Sequence, residues 1–202
     1  MKRINKVFND IIKYNNFYME DEPNRPMMKL VKKNTNRESL VGVEIGTSKG
    51  CHAVDILYHL NIKKLYLIDP YCLYNDRLKT NQNVVDYEFN KVKDEANKSL
   101  MRFEGKYEFI YKKSNDAINF VPDDLDFVYI DGDHNYECVK KDIEMYYAKV
   151  KDDGIIGGHD FGLNFPGVIK AVLDFIEYNK IETYHSEILD WWIVKNNGKK
   201  NI

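Results

Sequence analysis

Six acids and histidines stand at or near the points where hydrophobic runs stop: Glu44, Asp69, Asp131, His134, His159 and Asp160. Side chains of these types do a short list of things. A carboxylate beside a glycine turn attracts a cation and repels a phosphate. A histidine accepts a proton near neutral pH. Two acids with a histidine offer ligands to a hard divalent ion such as magnesium or manganese. Asp131, His134 and His159 are therefore the candidate catalytic groups. Asp131, His159 and Asp160 are the candidate metal ligands, with Asp133 an alternative member. Each also has a structural reading. Asp133 suits the N-cap of a following helix, His134 could start that helix, and His159-Asp160 could be turn residues. His52, His59 and His185 have no partner nearby in sequence and read as structural.

The elements that position these groups start at Val41. Val41, Val43 and Ile45 are β-branched and fit a pleated, buried strand. Gly46 and Gly50 then permit a tight turn and close backbone approach. Ala53, Val54, Leu57 and Leu60 follow at helical spacing. Further strands are expected at Lys64 to Asp69, Tyr107 to Tyr111, Leu125 to Asp131 and Gly154 to Gly158. Helices are expected over Val85 to Arg102, from Asp133 or His134, and from Pro166. The tail reads as two strands, Thr183 to Ile188 and Trp191 to Val194, with a turn at Leu189-Asp190. On an alternating strand, Trp191 and Trp192 would divide between core and surface.

Strands that alternate with helices imply a parallel sheet covered on both faces. The last two strands are too close for a helical crossover, so the final one must run antiparallel. Before the first strand, Arg3 to Tyr18 carries an amphipathic helical pattern. Glu20 to Pro26 breaks it with two prolines, and Met27 to Lys33 forms a second helix. These pieces, residues 1–36, form a helical cap within one domain of residues 1–202. They cover a pocket, cap a sheet edge or make a homodimer contact. The polar stretch Tyr71 to Val84 reads as a loop, and Tyr71, Tyr74 and Tyr136 could line an acceptor pocket.

A dinucleotide site would carry GxGxxG, its middle glycine meeting the pyrophosphate. Here the loop is Gly46-Thr47-Ser48-Lys49-Gly50, with Ser48 in the middle. Glu44 would also repel a phosphate. S-adenosylmethionine carries an ammonium and a sulfonium and no phosphate, so it suits an acid there. Asp69 can accept both ribose hydroxyls in either ligand and does not discriminate.

Val43 to Gly50, Ile68-Asp69-Pro70, Ile130 to Tyr136 and Gly157-Gly158-His159-Asp160 together resemble the class I S-adenosylmethionine-dependent methyltransferases. The narrower resemblance, from about Val41 to Phe175, is to the O-methyltransferase-like methyltransferase family 24. It implies an α/β, Rossmann-like, seven-stranded sheet of order 3-2-1-4-5-7-6 with the last strand antiparallel and helices on both faces. It also implies that Glu44, Gly46, Thr47, Ser48 and Gly50 line the methionine part of S-adenosyl-L-methionine. Asp69 would hold the ribose, Ser114 and Asn115 would flank the adenine, and Asp131 would lie near the transferring methyl. Related enzymes such as catechol O-methyltransferase hold a metal with acids at the strand ends matching Asp131 and Asp160. Lys49 departs from the pattern by adding a positive charge, and no aromatic pair near Asp131 suits a flat phenol.

The implied activity is methyl transfer to a hydroxyl of a sugar-like or other small-molecule acceptor. Other acceptors (phenol, carboxyl, nucleic acid) and a non-catalytic cofactor-binding role are the alternatives. Of the 202 residues, 44% are hydrophobic and 31% charged, ordinary for one globular domain. A net charge of -2 offers no global pull towards nucleic acid or an anionic membrane. Three cysteines without CxxC spacing suggest a reducing compartment. No run nears the roughly 18 apolar residues of a spanning helix, and the expected location is the cytoplasm.

Overall fold

Leu40–Ile45 forms β1, an inner strand of a seven-stranded sheet. The computed structural model describes residues 21–34, 39–72 and 82–196, with side chains over the same ranges except 82–86. The first expected helix, Arg3 to Tyr18, and most of the Tyr71 to Val84 stretch, Tyr74 included, lie outside the described residues.

The elements run α1 (Pro26–Asn34), β1, α2 (Cys51–His59), β2 (Ile62–Ile68), α3 (Gln82–Leu100), β3 (Tyr107–Ile110), α4 (Ser114–Ala117) and β4 (Leu125–Ile130). Then come α5 (Tyr136–Lys149), β5 (Val150–Gly158), α6 (Pro166–Asn179), β6 (His185–Glu187) and β7 (Asp190–Val194). The seven strands lie in the order β3-β2-β1-β4-β5-β7-β6. β1 to β5 pair in parallel, while β7 runs antiparallel to both β5 and β6. The expected fold class is the observed one.

Period-two alternation sends β1 and β4 side chains to two cores. Val43, Ile45, Val128 and Ile130 pack with Val139, Ile143, Val168 and Val172 of α5 and α6. Leu40, Phe127 and Tyr129 pack on the opposite face with Met27 and Val31 of α1 and with Ala53 and Ile56 of α2. Gly42 is required between them, because a Cβ there would lie 2.2 Å from Phe127 Cζ.

Three local expectations change. α5 starts at Tyr136 with Asn135 as N-cap, not at Asp133 or His134. Asp133 instead closes the loop before it, its Oδ1 accepting from Asn135 N at 2.8 Å. The tail turn is Ile188-Leu189, both with positive φ, so Asp190 opens β7 and is fully buried. Both tryptophans are buried, because the sheet is covered on each face at β7.

Gly42→Ala is expected to lower unfolding free energy by about 2 kcal/mol, through overpacking against Phe127. Urea unfolding with an unchanged m-value checks it.

Candidate active site

In-register pairing levels Ile45 with Ile68 and Ile130, and Ile130 with Gly158. The next residues, Gly46, Asp69, Asp131 and His159, therefore emerge together along the carboxyl edge of the parallel strands. Backbone bonds hold the line. Gly46 N donates to Ile68 O at 2.8 Å, Asp131 N to Ile45 O at 2.8 Å, and His159 N to Ile130 O at 3.0 Å. Open α/β sheets bind their ligands along this edge. Trp191 of β7 pairs with Gly158, so Asp190 joins the same edge from the antiparallel side.

The loop after β1 is shaped by two glycines in left-handed conformation. A Cβ on Gly46, with φ 90°, would lie 2.0 Å from Asp131 O. Gly50, with φ 78°, leads directly into α2. Asp69 ties this loop to β2: its Oδ2 accepts from Ser48 N at 2.9 Å and its Oδ1 from Tyr71 N at 2.8 Å. The backbone of Thr47 also bonds to this carboxylate, which with two lone pairs on each oxygen can still accept a ligand hydroxyl. The Tyr71 hydroxyl donates to Ser48 O at 2.7 Å. Lys49 pairs with Glu95 of α3 at 3.0 Å. The Ser114 hydroxyl donates to Asp142 of α5 at 2.5 Å, and the Asn115 amide donates to Asp116 at 2.9 Å.

Glu44 is 1% exposed, and burial, with Asp69 adding, pushes its pKa up to about 8. His52, taken from sequence as structural and without a partner, sits with Nδ1 2.9 Å from Glu44 Oε1. Burial, with the Arg25 charge adding, pushes His52 down to about 4. Both shifts favour the uncharged form of the group, so burial works against an ion pair between them. Glu44 Oε2, Thr47 Oγ1 and His52 Nε2 are buried with no hydrogen-bond partner among the described residues. Orphaned buried acceptors beside a glycine cradle fit the charged methionine end of S-adenosylmethionine, whose ammonium would draw the negative charge back onto Glu44.

The other half of the edge gathers the candidate catalytic groups. Asp131, His159 and Asp160 offer ligand atoms that all lie within 4.8 Å of one another, which fits a divalent cation. His159 Nδ1 is 3.1 Å from Asp160 Oδ1, and His134 Nε2 is 3.3 Å from Asp160 Oδ2. Burial raises the Asp131 pKa and lowers that of His159. Asp160 adopts φ 60°, a conformation that aspartate tolerates better than most residues. His134 and Tyr136 line a cleft of about 390 Å³ between loops 133–136 and 164–167. Phe165 lies edge-on to His134 at 4.5 Å and supplies one aromatic wall. Tyr136 lines that cleft, with its hydroxyl donating to Asp174 of α6 at 2.7 Å.

Arg25 and Tyr129 were not singled out by sequence reasoning, and His52 and Asp190 were read as a structural histidine and a turn residue, yet the four complete the network. The Tyr129 hydroxyl donates to Asp190 Oδ1 at 2.7 Å. Arg25 reaches Asp131 at 3.8 Å and Asp190 at 3.9 Å. Its one local signal is a lone cation between Pro23 and Pro26.

A parallel sheet with that strand order, a glycine loop under a buried acid, and an acid ending β2 define the class I methyltransferases. Residues 43–161 match the family model described as a methyltransferase domain, family 24, and the chain belongs to that family of S-adenosylmethionine-dependent enzymes. An uncharacterized protein of Acanthamoeba polyphaga mimivirus is 28% identical over 159 residues, 76% of this chain and 68% of that protein. Among solved structures, the O-methyltransferase NovP is similar with a TM-score of 0.65 at 16% identity, covering 84% of this chain and 79% of NovP. MycE, a methyltransferase of the mycinamycin biosynthetic pathway in complex with Mg and SAH, is similar with a TM-score of 0.57 at 15% identity. That match covers 87% of this chain and 50% of MycE. At these identities the structural likeness speaks for the fold. Among the described residues no helix is long and apolar enough to cross a membrane.

Two outcomes follow from the donor half. Asp69→Ala should weaken S-adenosylmethionine binding by about tenfold or more, read by calorimetry, through loss of charged hydrogen bonds. The second concerns pH. An acid with a raised folded pKa lends stability below its unfolded value and loses it as pH rises through the folded one. A histidine with a lowered folded pKa loses stability as pH falls below its ordinary value. The Glu44–His52 contribution is thus level between pH 4.5 and 6.5, where the two oppose, and falls from 6.5 to 8. Glu44→Gln should remove about 2 kcal/mol of that fall, measured by urea unfolding of cofactor-free protein at the two ends of the window.

Proposed function

We propose that this methyltransferase methylates a hydroxyl oxygen of a sugar-like or other small polyhydroxyl acceptor seated against His134. The observation that carries this reading is the placement of His134: it lines the cleft while its Nε2 contacts Asp160. That contact favours the tautomer with the proton on Nε2, which leaves Nδ1 as the basic nitrogen. Asp160 then plays the orienting part, stabilising the imidazolium that forms when the acceptor hydroxyl gives up its proton.

S-adenosylmethionine, when bound, supplies a methyl already activated on a sulfonium. The chain's work is alignment and proton removal. Glu44, Gly46, Thr47, Ser48 and Gly50 hold the methionine end. Asp69 holds the ribose, and Ser114 and Asn115 border the adenine from the start of α4. His134 Nδ1 would take the proton that the acceptor hydroxyl gives up as its oxygen receives the methyl from the donor. A magnesium or manganese ion held by Asp131, His159 and Asp160 would lower the pKa of the acceptor hydroxyl and orient it. The three converging ligand atoms and the magnesium in MycE, on a similar fold, support that assignment.

A mixed lining supports a polyhydroxyl acceptor: Asp133, Asn135 and Asn164 offer hydrogen bonds, and Phe165 and Pro166 offer apolar contact. The test is release of S-adenosylhomocysteine with a panel of sugars, phenols, carboxylates and RNA. Transfer to a sugar-type hydroxyl is expected, and His134→Ala should lower kcat by about 10²- to 10⁴-fold. Transfer confined to carboxylates or RNA, or an unchanged kcat in that variant, would overturn the proposal.

A further inference from the structure

We infer that Arg25 is a positioning residue that shares Asp131 with the divalent ion and so sets how tightly the ion is held. The inference rests on the metal reading of Asp131, His159 and Asp160 given above.

Arg25 is aimed from both sides by its own backbone neighbours. Upstream, Asn24 N donates to Asp55 Oδ2 at 2.9 Å and Asn24 Nδ2 donates to Asp55 Oδ1 at 2.8 Å. Asp55 is itself 2% exposed on α2. Downstream, Met27 N donates to Asp190 Oδ2 at 3.2 Å, and Met27 and Met28 are fully buried under the sheet. Pro23 and Pro26 restrict φ on either side. The strap therefore has little freedom to carry its guanidinium elsewhere.

The guanidinium contacts are loose. At 3.8 and 3.9 Å they exceed the 2.7–2.9 Å of a charge-assisted hydrogen bond. Asp190 does not need Arg25 for its hydrogen bonds, since the Tyr129 hydroxyl and Met27 N already occupy one lone pair on each of its oxygens. Asp131 is the partner with most to exchange. Its side chain is 24% exposed and is one of the three convergent ligands. A fixed cation this near a ligand carboxylate does two things. It neutralises Asp131 when no ion is bound, and it repels a divalent ion when one arrives. The ion is then held weakly enough to exchange, with Asp190 keeping the displaced guanidinium in place.

The test is Mn²⁺ binding to purified protein, followed by electron paramagnetic resonance, with neither methyl donor nor acceptor present. Arg25→Gln should bind Mn²⁺ about tenfold more tightly than the natural chain, a partly screened charge effect. Arg25→Lys, which keeps the charge, should stay within about twofold. Asn24→Ala keeps the guanidinium but removes the side-chain contact to Asp55 that helps aim it, and should tighten binding by a smaller factor. That variant decides the matter if Arg25→Gln does not fold, as judged by thermal unfolding. Unchanged affinity in Arg25→Gln, with binding abolished in Asp131→Asn, would overturn the role of Arg25 and leave the metal site standing. Binding as tight in Asp131→Asn as in the natural chain would overturn the metal reading, and this inference with it.

Discussion

Parallel pairing in register across β2, β1, β4 and β5 is the constraint on which everything else in this protein depends. Four strands end at one level, so the residues that follow them are neighbours although more than a hundred positions separate the first from the last. Backbone hydrogen bonds from Gly46, Asp131 and His159 into the adjacent strand carry that register one step past the strands themselves. A slip of one residue would turn Glu44 and Tyr129 to the opposite face. It would also draw Gly46 away from Asp131 O, the contact that leaves no room for a side chain.

On that edge, charge is arranged by burial as much as by residue type. Glu44 and His52 would form an ion pair at the surface, but inside the protein burial shifts their pKa values in opposite directions, each towards the uncharged form. The unpaired Oε2 is a polar group left waiting for a cation. Across the site, Arg25 lies between Asp131 and Asp190, and His134 and His159 flank Asp160. The donor half is held by backbone hydrogen bonds and a buried acid, whereas the acceptor half gathers side chains that share partners.

Much of this was legible from the chain alone because the signals were local. β-Branched runs ending in an acid, a glycine pair at the start of a helix, and a final strand pair too close for a crossover are patterns of a few residues each. The misreadings were local as well. Asp190 resembled a turn residue next to Leu189, yet Ile188 and Leu189 take the left-handed turn and Asp190 is drawn into β7 by pairing with Glu187. Trp191 and Trp192 were expected to divide between core and surface on alternation alone, but both faces of the sheet are covered there and both are buried. His52 lacked a sequence neighbour because its partner lies one strand and one loop earlier, brought back by the first turn of α2.

What the sequence determined by itself was a parallel α/β sheet with an antiparallel last strand, from periodicity and spacing. It also set a preference for a cationic methyl donor over a dinucleotide, from one acid beside a glycine loop. The strand order was what the resemblance to methyltransferase family 24 implied. Only the tertiary structure decided how the charges are shared. Arg25 and Asp190 stand 165 positions apart, and no spacing rule links them. They meet because α1 packs under the sheet and β7 returns antiparallel to β5. Both paths are set by burial of Met27, Met28 and the two tryptophans, and hydrophobic burial is non-directional. It places the strap without naming the polar group that the strap will meet.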